Sequence, residues 1–477
     1  MDENFEEYSG EDIDNLIEKF ESMLKSKQSC YFDVEEFEII IDYYLERNNL
    51  SKTSLVLRYA TGQHPESVGI LLKKAQLYAY SDKTDKALEL LAKVELLDPT
   101  NSDVFFTKGA IYSQLKRYEK AIEEYHKALN KAEELDDVYI NIAFEYENLG
   151  NYNKAIEYLK KALEINPDNE AVLYELSINF EFADKMNDSI SFFENYLEEN
   201  PYSKVGWLNL GIAFNIVGLY EKAIEAFDFS IVIDEAFLIG HYNKAATYIN
   251  LKQYQQAIDL YVEMLDMEEN KAIIYYYIGE CYEKTKNFVG SIESYTKAIE
   301  FDEHFADAWL GRGMSCYELK NIEASIQNIN KAIELEPHNS EYLFLLADIQ
   351  QKEGMQEALE SYRKVSEMDP HNIDIWIEYS DAYQALDDLN KAIEIIKVGI
   401  SFQPENAEFF YRLSAYLLFN KEIKEAYKIL ETAMDMDLSY ADELIEYVSE
   451  FEENNHLIEI INQFKIDIKI NKDKRTC

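Results

Sequence analysis

A small residue returns every 34 positions along most of this chain, and that period decides what the chain can fold into. Counting places from Val34, place 20 holds Thr53, Ala87, Ala121, Ala155, Ser189, Ala223, Ala257, Ser291, Ser325, Ala358, Ala392 and Ala426, with one single-residue deletion before Ala358. Place 8 holds Gly, Ala or Ser in eleven of those twelve repeats, Ile41 being the exception. Between these positions the spacing is helical. In residues 207–227, Trp207, Leu210, Gly211 and Phe214 share one face of a first helix, Ala223 and Phe227 share one face of a second, and Gly218 lies in the link. Helices this short are unstable alone in water, and each carries an apolar stripe that a neighbour must cover. The period therefore predicts stacked helix pairs rather than one globular core.

The prolines fix the phase independently. All seven (Pro65, Pro99, Pro167, Pro201, Pro337, Pro370 and Pro404) fall at place 32, after the second helix, where a residue without an N–H separates one pair from the next. A 34-residue period with a large residue at place 4, small residues at 8 and 20, a large apolar residue such as Phe227 at 24 and Pro at 32 resembles the tetratricopeptide repeat (TPR) family. The resemblance implies an all-α fold: a right-handed superhelical α-solenoid of about twelve 34-residue TPR helix pairs with capping helices. It also implies a concave wall built from places 2, 5, 6, 9, 12 and 13 of the first helices.

On this reading residues 1–33 are an acidic segment and a capping helix, the latter carried by Ile13, Leu16, Ile17, Phe20, Met23 and Leu24. Residues 34–440 are the twelve repeats. Residues 441–466 are a degenerate capping helix pair, and 467–477 a basic tail with Lys469, Lys472, Lys474 and Arg475, whose charge is opposite to the rest.

Lys and Arg number 46 against 92 Asp and Glu, a net charge of −46. Such a surface repels nucleic acid and anionic membranes, so neither is an expected partner. No run is apolar enough to insert into a membrane, and the N-terminus lacks the pattern of a secretory signal, which predicts a soluble, cytoplasmic protein. Cys30, Cys281, Cys316 and Cys477 form no C-x-x-C pair and have no histidine at zinc spacing. Phosphate loops, zinc-protease motifs and nucleophile elbows are absent too. No catalytic site, metal or cofactor is expected.

What remains is the surface the array creates. The wall places hold 19 acids and four bases, against two to one for the chain as a whole, which predicts an acidic groove. Place 6 carries Asn141, Asn209 and Asn243, and place 5 carries Tyr174, Tyr242 and Tyr276. The amides resemble the asparagine ladder of peptide-binding TPR domains, in which each amide gives a donor and an acceptor to a peptide backbone. Glu147, Glu181, Glu280 and Glu283 are expected to attract its side chains. Place 5 holds no base, unlike co-chaperones that grip a terminal carboxylate. The expected function is a non-enzymatic scaffold for protein–protein interaction, binding an extended, basic protein segment. A self-assembling spacer acting through the convex face or ends stays open, as does a metal-dependent enzyme using clustered carboxylates.

Overall fold

A computed structural model of the chain describes residues 10–26, 30–81, 83–129, 135–449 and 463, and within them 26 helices and no strand. The second half of the expected C-terminal cap and the basic tail lie outside the described residues. Two compact units divide the chain, residues 1–251 and 252–477.

Each repeat is written by local rules. Every proline is followed, two residues later, by Ser or Asn, and those residues (Ser67, Asn101, Asn169, Ser203, Asn339, Asn372 and Asn406) cap the next first helix, each side chain accepting from a backbone N–H of the first turn. The junctions before Leu238–Asn250 and Ala306–Glu318 have neither proline nor a side-chain cap, Phe237 and Phe305 standing at the cap position. All three tryptophans of the chain are at place 4 and fasten the same junction. The indole Nε1 of Trp207, Trp309 and Trp376 donates to the carbonyl six residues earlier, Pro201, Glu303 and Pro370 respectively, at 2.9 Å.

The first helix ends at place 15, where every described residue has a left-handed backbone: three glycines and eight others, among them Lys116 at φ 56°. At Gly218 the pattern closes with Gly218 N–H on Asn215 O (3.1 Å) and Leu219 N–H on Phe214 O (2.8 Å), which satisfies the last carbonyls of the helix. A left-handed backbone costs an ordinary residue roughly 1–2 kcal/mol, of which glycine's extra freedom when unfolded takes back about half. Lys116→Gly is therefore expected to stabilise the protein by about 0.5–1 kcal/mol. A thermal melt checks this; a lower melting temperature would mean that the exposed Lys116 side chain holds something its position does not show.

In the unit 1–251, helix Gly10–Ser26 lays Leu16, Ile17, Phe20 and Met23 on Phe32, Phe37 and Ile40. Six helix pairs follow, and then the first helix of the seventh, Leu238–Asn250. The place-20 residues are buried throughout the chain, and the place-8 glycines meet the residue at place 24, a ring for Gly109, Gly211 and Gly279 and Ile329 for Gly313: a Cβ added to Gly211 would come within 2.4 Å of the Phe227 ring. The first helices form a wall: those of repeats one to three and five to seven lie against each other, and a side-chain bond from Asn179 to Glu147 joins the fourth to the fifth. In the unit 252–477 the second helix of the seventh repeat, Tyr254–Met264, leads into five more pairs. Helix Ala441–Ser449 ends the described run, with Leu444 and Val448 buried in one cluster with Leu413 and Leu417 of Ala407–Phe419.

Candidate functional site

The wall of first helices is laced by polar bonds between repeats. In the unit 1–251, Asn179 Nδ2 donates to Glu147 Oε1 (2.5 Å) and to Glu175 O (2.9 Å), and Thr247 Oγ1 donates to Asn215 Oδ1 (3.3 Å). In the unit 252–477, Ser315 Oγ donates to Glu283 Oε1 (2.7 Å) and shares a 2.7 Å bond with Ser291 Oγ. The three bonds join place 12 of one repeat to place 10 of the next, 32 residues on. At the same spacing near the N-terminus both residues are apolar, Leu45 and Leu77, and they pack in one cluster. Matched polarity at a separation of 32 was the signal in the sequence that would have found these pairs.

Two predicted groove carboxylates, Glu147 and Glu283, are thus half-buried acceptors between repeats. Glu181 is exposed. Glu280 is half-buried and accepts from Tyr276 OH at 3.2 Å, while the Tyr276 ring packs on Phe305 (centroids 5.0 Å apart) and Tyr295 (5.7 Å).

The asparagines separate in the same way. Asn141 and Asn243 are partly exposed, and each gives one amide N–H to its own helix one turn back: Asn141 to Asp137 O (2.8 Å) and Asn243 to Ile239 O (2.9 Å). Asn209 departs from the expectation. It is 0% exposed, its Nδ2 donates to Leu173 O of the preceding repeat at 2.9 Å, and its Oδ1 is buried without a partner. It bolts two first helices together and cannot reach a ligand in the groove. Tyr174 and Tyr242 stand half-buried on the same wall.

Apolar rungs are what the reading of acids and amides overlooked. Places 9 and 13 of the fourth to sixth repeats expose Phe144, Ile178, Phe182 and Ile216, with Phe182 65% exposed and stacked on Tyr152 (5.1 Å, 20°). Around them the wall places of repeats four to seven carry Asp137, Glu147, Glu175 and Glu181 and no Lys or Arg. In the unit 252–477 the wall has more acid but also internal cations: Lys352 pairs with Asp348 (2.7 Å) and Arg412 with Asp381 (3.2 Å). Among the described residues no group of His, Cys, Asp and Glu is arranged to hold a metal ion, and no helix is long and apolar enough to cross a membrane. Burial pushes the Cys281 thiol up to about 12, so it stays protonated.

Burial also raises the carboxyl groups of Glu145, Glu147, Glu280, Glu283, Glu378 and Glu408 above their ordinary range. The folded chain then binds more protons than the unfolded one between the ordinary carboxyl value and the raised ones, so stability falls as pH rises through that window. Self-repulsion at a net charge of −46 acts in the same direction. Glu360, held down to about 2 by Arg363, acts only below the ordinary range, and this exposed pair weighs little. The melting temperature is expected to be higher near pH 5.5 than at pH 8; a flat or rising profile between them would contradict this.

Sequence profiles described as tetratricopeptide repeat match residues 102–135, 137–169, 242–304, 306–339 and 354–415. No curated protein matches the chain. Among solved structures, yeast Tom70 is 15% identical and aligns with a TM-score of 0.40 over 85% of this chain and 97% of its own. Cut9–Hcn1 of the APC/C is 13% identical, TM-score 0.35, over 85% and 96%. Naa15/Naa10 bound to HypK-THB is 15% identical, TM-score 0.34, over 83% and 67%.

Proposed function

Because the chain is a tetratricopeptide repeat protein, we propose that it is a protein-interaction scaffold whose first-helix wall holds an extended segment of a partner, one carrying basic and apolar side chains. The observation that carries this is the wall of repeats four to seven. Four apolar side chains stand exposed there among carboxylates, with no base at any wall place. Exposed apolar rungs on a wall are surface that a partner can cover, and the acids select the sign of its charge. Asn141 and Asn243, each with an N–H spent on its own helix, offer the rest of their amides to the backbone of the segment.

The test compares two kinds of variant, using a partner recovered by pull-down. Asn141→Ala with Asn243→Ala removes backbone contacts worth about 0.5–1.5 kcal/mol each and is expected to speed dissociation at any ionic strength. Glu175→Gln with Glu181→Gln leaves the inter-repeat bonds in place. It is expected to slow association and flatten its salt dependence, because charges on an open wall are screened over about 8 Å at physiological ionic strength. Stopped-flow binding at low and high salt reads both. If neither pair changes binding while substitutions on the second helices do, the wall is not the binding surface and the spacer reading gains.

A further inference from the structure

Away from that wall, consecutive second helices leave a cleft between repeats, and its contents change in a telling way from one repeat to the next. A cleft of about 390 Å³ between the fourth and fifth repeats carries its own cation: Lys160, at place 25, sets its ammonium 5.1 Å from the centre of the Phe180 ring and 4.8 Å from that of Phe192. Between the fifth and sixth repeats lies the corresponding cleft, about 380 Å³, where Phe214 replaces Phe180 and Glu194 stands at the place of Lys160. The cation at place 25 has become an acid, while the ring at place 11 keeps an internal cation from place 19, where Lys222 stands in the position of Asp188.

The rest of this second cleft follows suit. Trp207 stacks on Phe229 with ring centres 4.4 Å apart and planes at 26°, and Phe229 is 53% exposed. Glu198 and Glu225 join Glu194 on the lining, and none of the three forms a salt bridge among the described residues; Lys222, 5.3 Å from the Phe214 ring centre, is the one base there. The ninth repeat shows what a tryptophan at place 4 accepts. There the chain supplies its own guanidinium, Arg312, 4.5 Å from the centre of the Trp309 ring. Place 7, which gives Arg312 in that repeat, is Leu210 in the sixth.

We infer that the cleft between the fifth and sixth repeats receives an arginine side chain of a partner protein, its guanidinium against Trp207 and Phe229 and its charge met by Glu194, Glu198 and Glu225. A guanidinium suits the place better than an ammonium. It is planar, stacks on an indole and gives up its hydration more readily, and an aromatic face with carboxylates at its rim matches both its plane and its charge. This docking point is separate from the first-helix wall, and it does not depend on the wall binding anything.

The test uses the full chain labelled with 5-fluorotryptophan, its three ¹⁹F resonances assigned with Trp207→Phe, Trp309→Phe and Trp376→Phe, and titrated with N-acetyl-arginine amide. The expected result is a saturable shift confined to the Trp207 resonance. N-acetyl-citrulline amide, the same shape without charge, should give no such shift, and N-acetyl-lysine amide a weaker one. The triple variant Glu194→Gln, Glu198→Gln, Glu225→Gln should bind the arginine probe at least roughly threefold more weakly while melting no lower than the wild type. An unmoved Trp207 resonance, an equal response to citrulline, or undiminished binding by the triple variant overturns the inference. Equal binding of the lysine probe overturns the choice of guanidinium. Because the probe is a single residue read at Trp207, these outcomes are independent of any partner bound by the first-helix wall.

Discussion

Asp381→Ala is expected to destabilise the C-terminal end of the array by about 3 kcal/mol or more, the range for removing one member of a largely buried ion pair. Asp381 gathers three donors in one place: Tyr416 OH at 2.5 Å, Tyr447 OH at 2.7 Å and the Arg412 guanidinium at 3.2 Å. These come from the first helix of the twelfth repeat and from the end helix Ala441–Ser449, so a single carboxylate joins its own first helix, Ile373–Ala385, to the next two along the wall of the unit 252–477. Burial raises both phenols above their ordinary range, so both remain protonated donors at neutral pH. The guanidinium lies 4.0 Å from the centre of the Tyr447 ring, and its side chain and that of Asp381 are about one-fifth exposed. Some water reaches the pair, which places the cost at the lower end of the range. Asp381→Asn keeps an acceptor for the tyrosines but not the countercharge, and should fall between the wild type and Asp381→Ala. Stability in a repeat array is a sum over neighbours, so the loss should concentrate at this end. Hydrogen exchange is expected to quicken in residues 407–449 while residues 34–200 keep their protection. Uniform exchange, or a melting temperature equal to the wild type, would show that the cluster does not hold this end.

Gly211→Leu is expected to cost roughly 1–3 kcal/mol, occasionally more, as overpacking does in a filled core. The added Cβ alone would stand 2.4, 2.6 and 2.9 Å from three atoms of the Phe227 ring, and Phe227 is fully buried. The ring cannot swing away without opening the contact between the two helices of the repeat. Even Gly211→Ala should therefore destabilise, against the general preference of helices for Ala over Gly. Gly62 supplies the control. It also lies in a helix, nothing is within 4 Å of its absent Cβ, and Gly62→Ala is expected to be neutral or stabilising by up to about 1 kcal/mol. Thermal melts of the three variants decide it. If Gly211→Ala melts no lower than the wild type, close helix approach is not what glycine provides there.

The all-α solenoid is legible in the sequence because everything that builds one helix pair lies within about 34 residues. The capping Ser or Asn two residues after each proline, the left-handed turn at place 15, and the pairing of a small residue at place 8 with a large apolar one at place 24 are local events repeated at a fixed period. Such short-range constraints survive in the sequence as periodicity, and twelve copies make the pattern readable even where single repeats depart from it.

The candidate site was less legible, since its chemistry depends on how far one repeat approaches the next. Asn141, Asn209 and Asn243 occupy the same place of their repeats, yet Asn209 is sealed against Leu173 while the other two face the wall. The first helices of the fifth and sixth repeats are more closely apposed than those of the sixth and seventh. Glu147 reads as a groove charge and becomes a hydrogen-bond acceptor because Asn179 of the next repeat reaches it. So the sequence by itself determined the repeating helix pair, its phase and its caps. Only the tertiary structure decided which polar residues of the wall face outward, because burial between repeats is set by a separation between helices that no local pattern encodes.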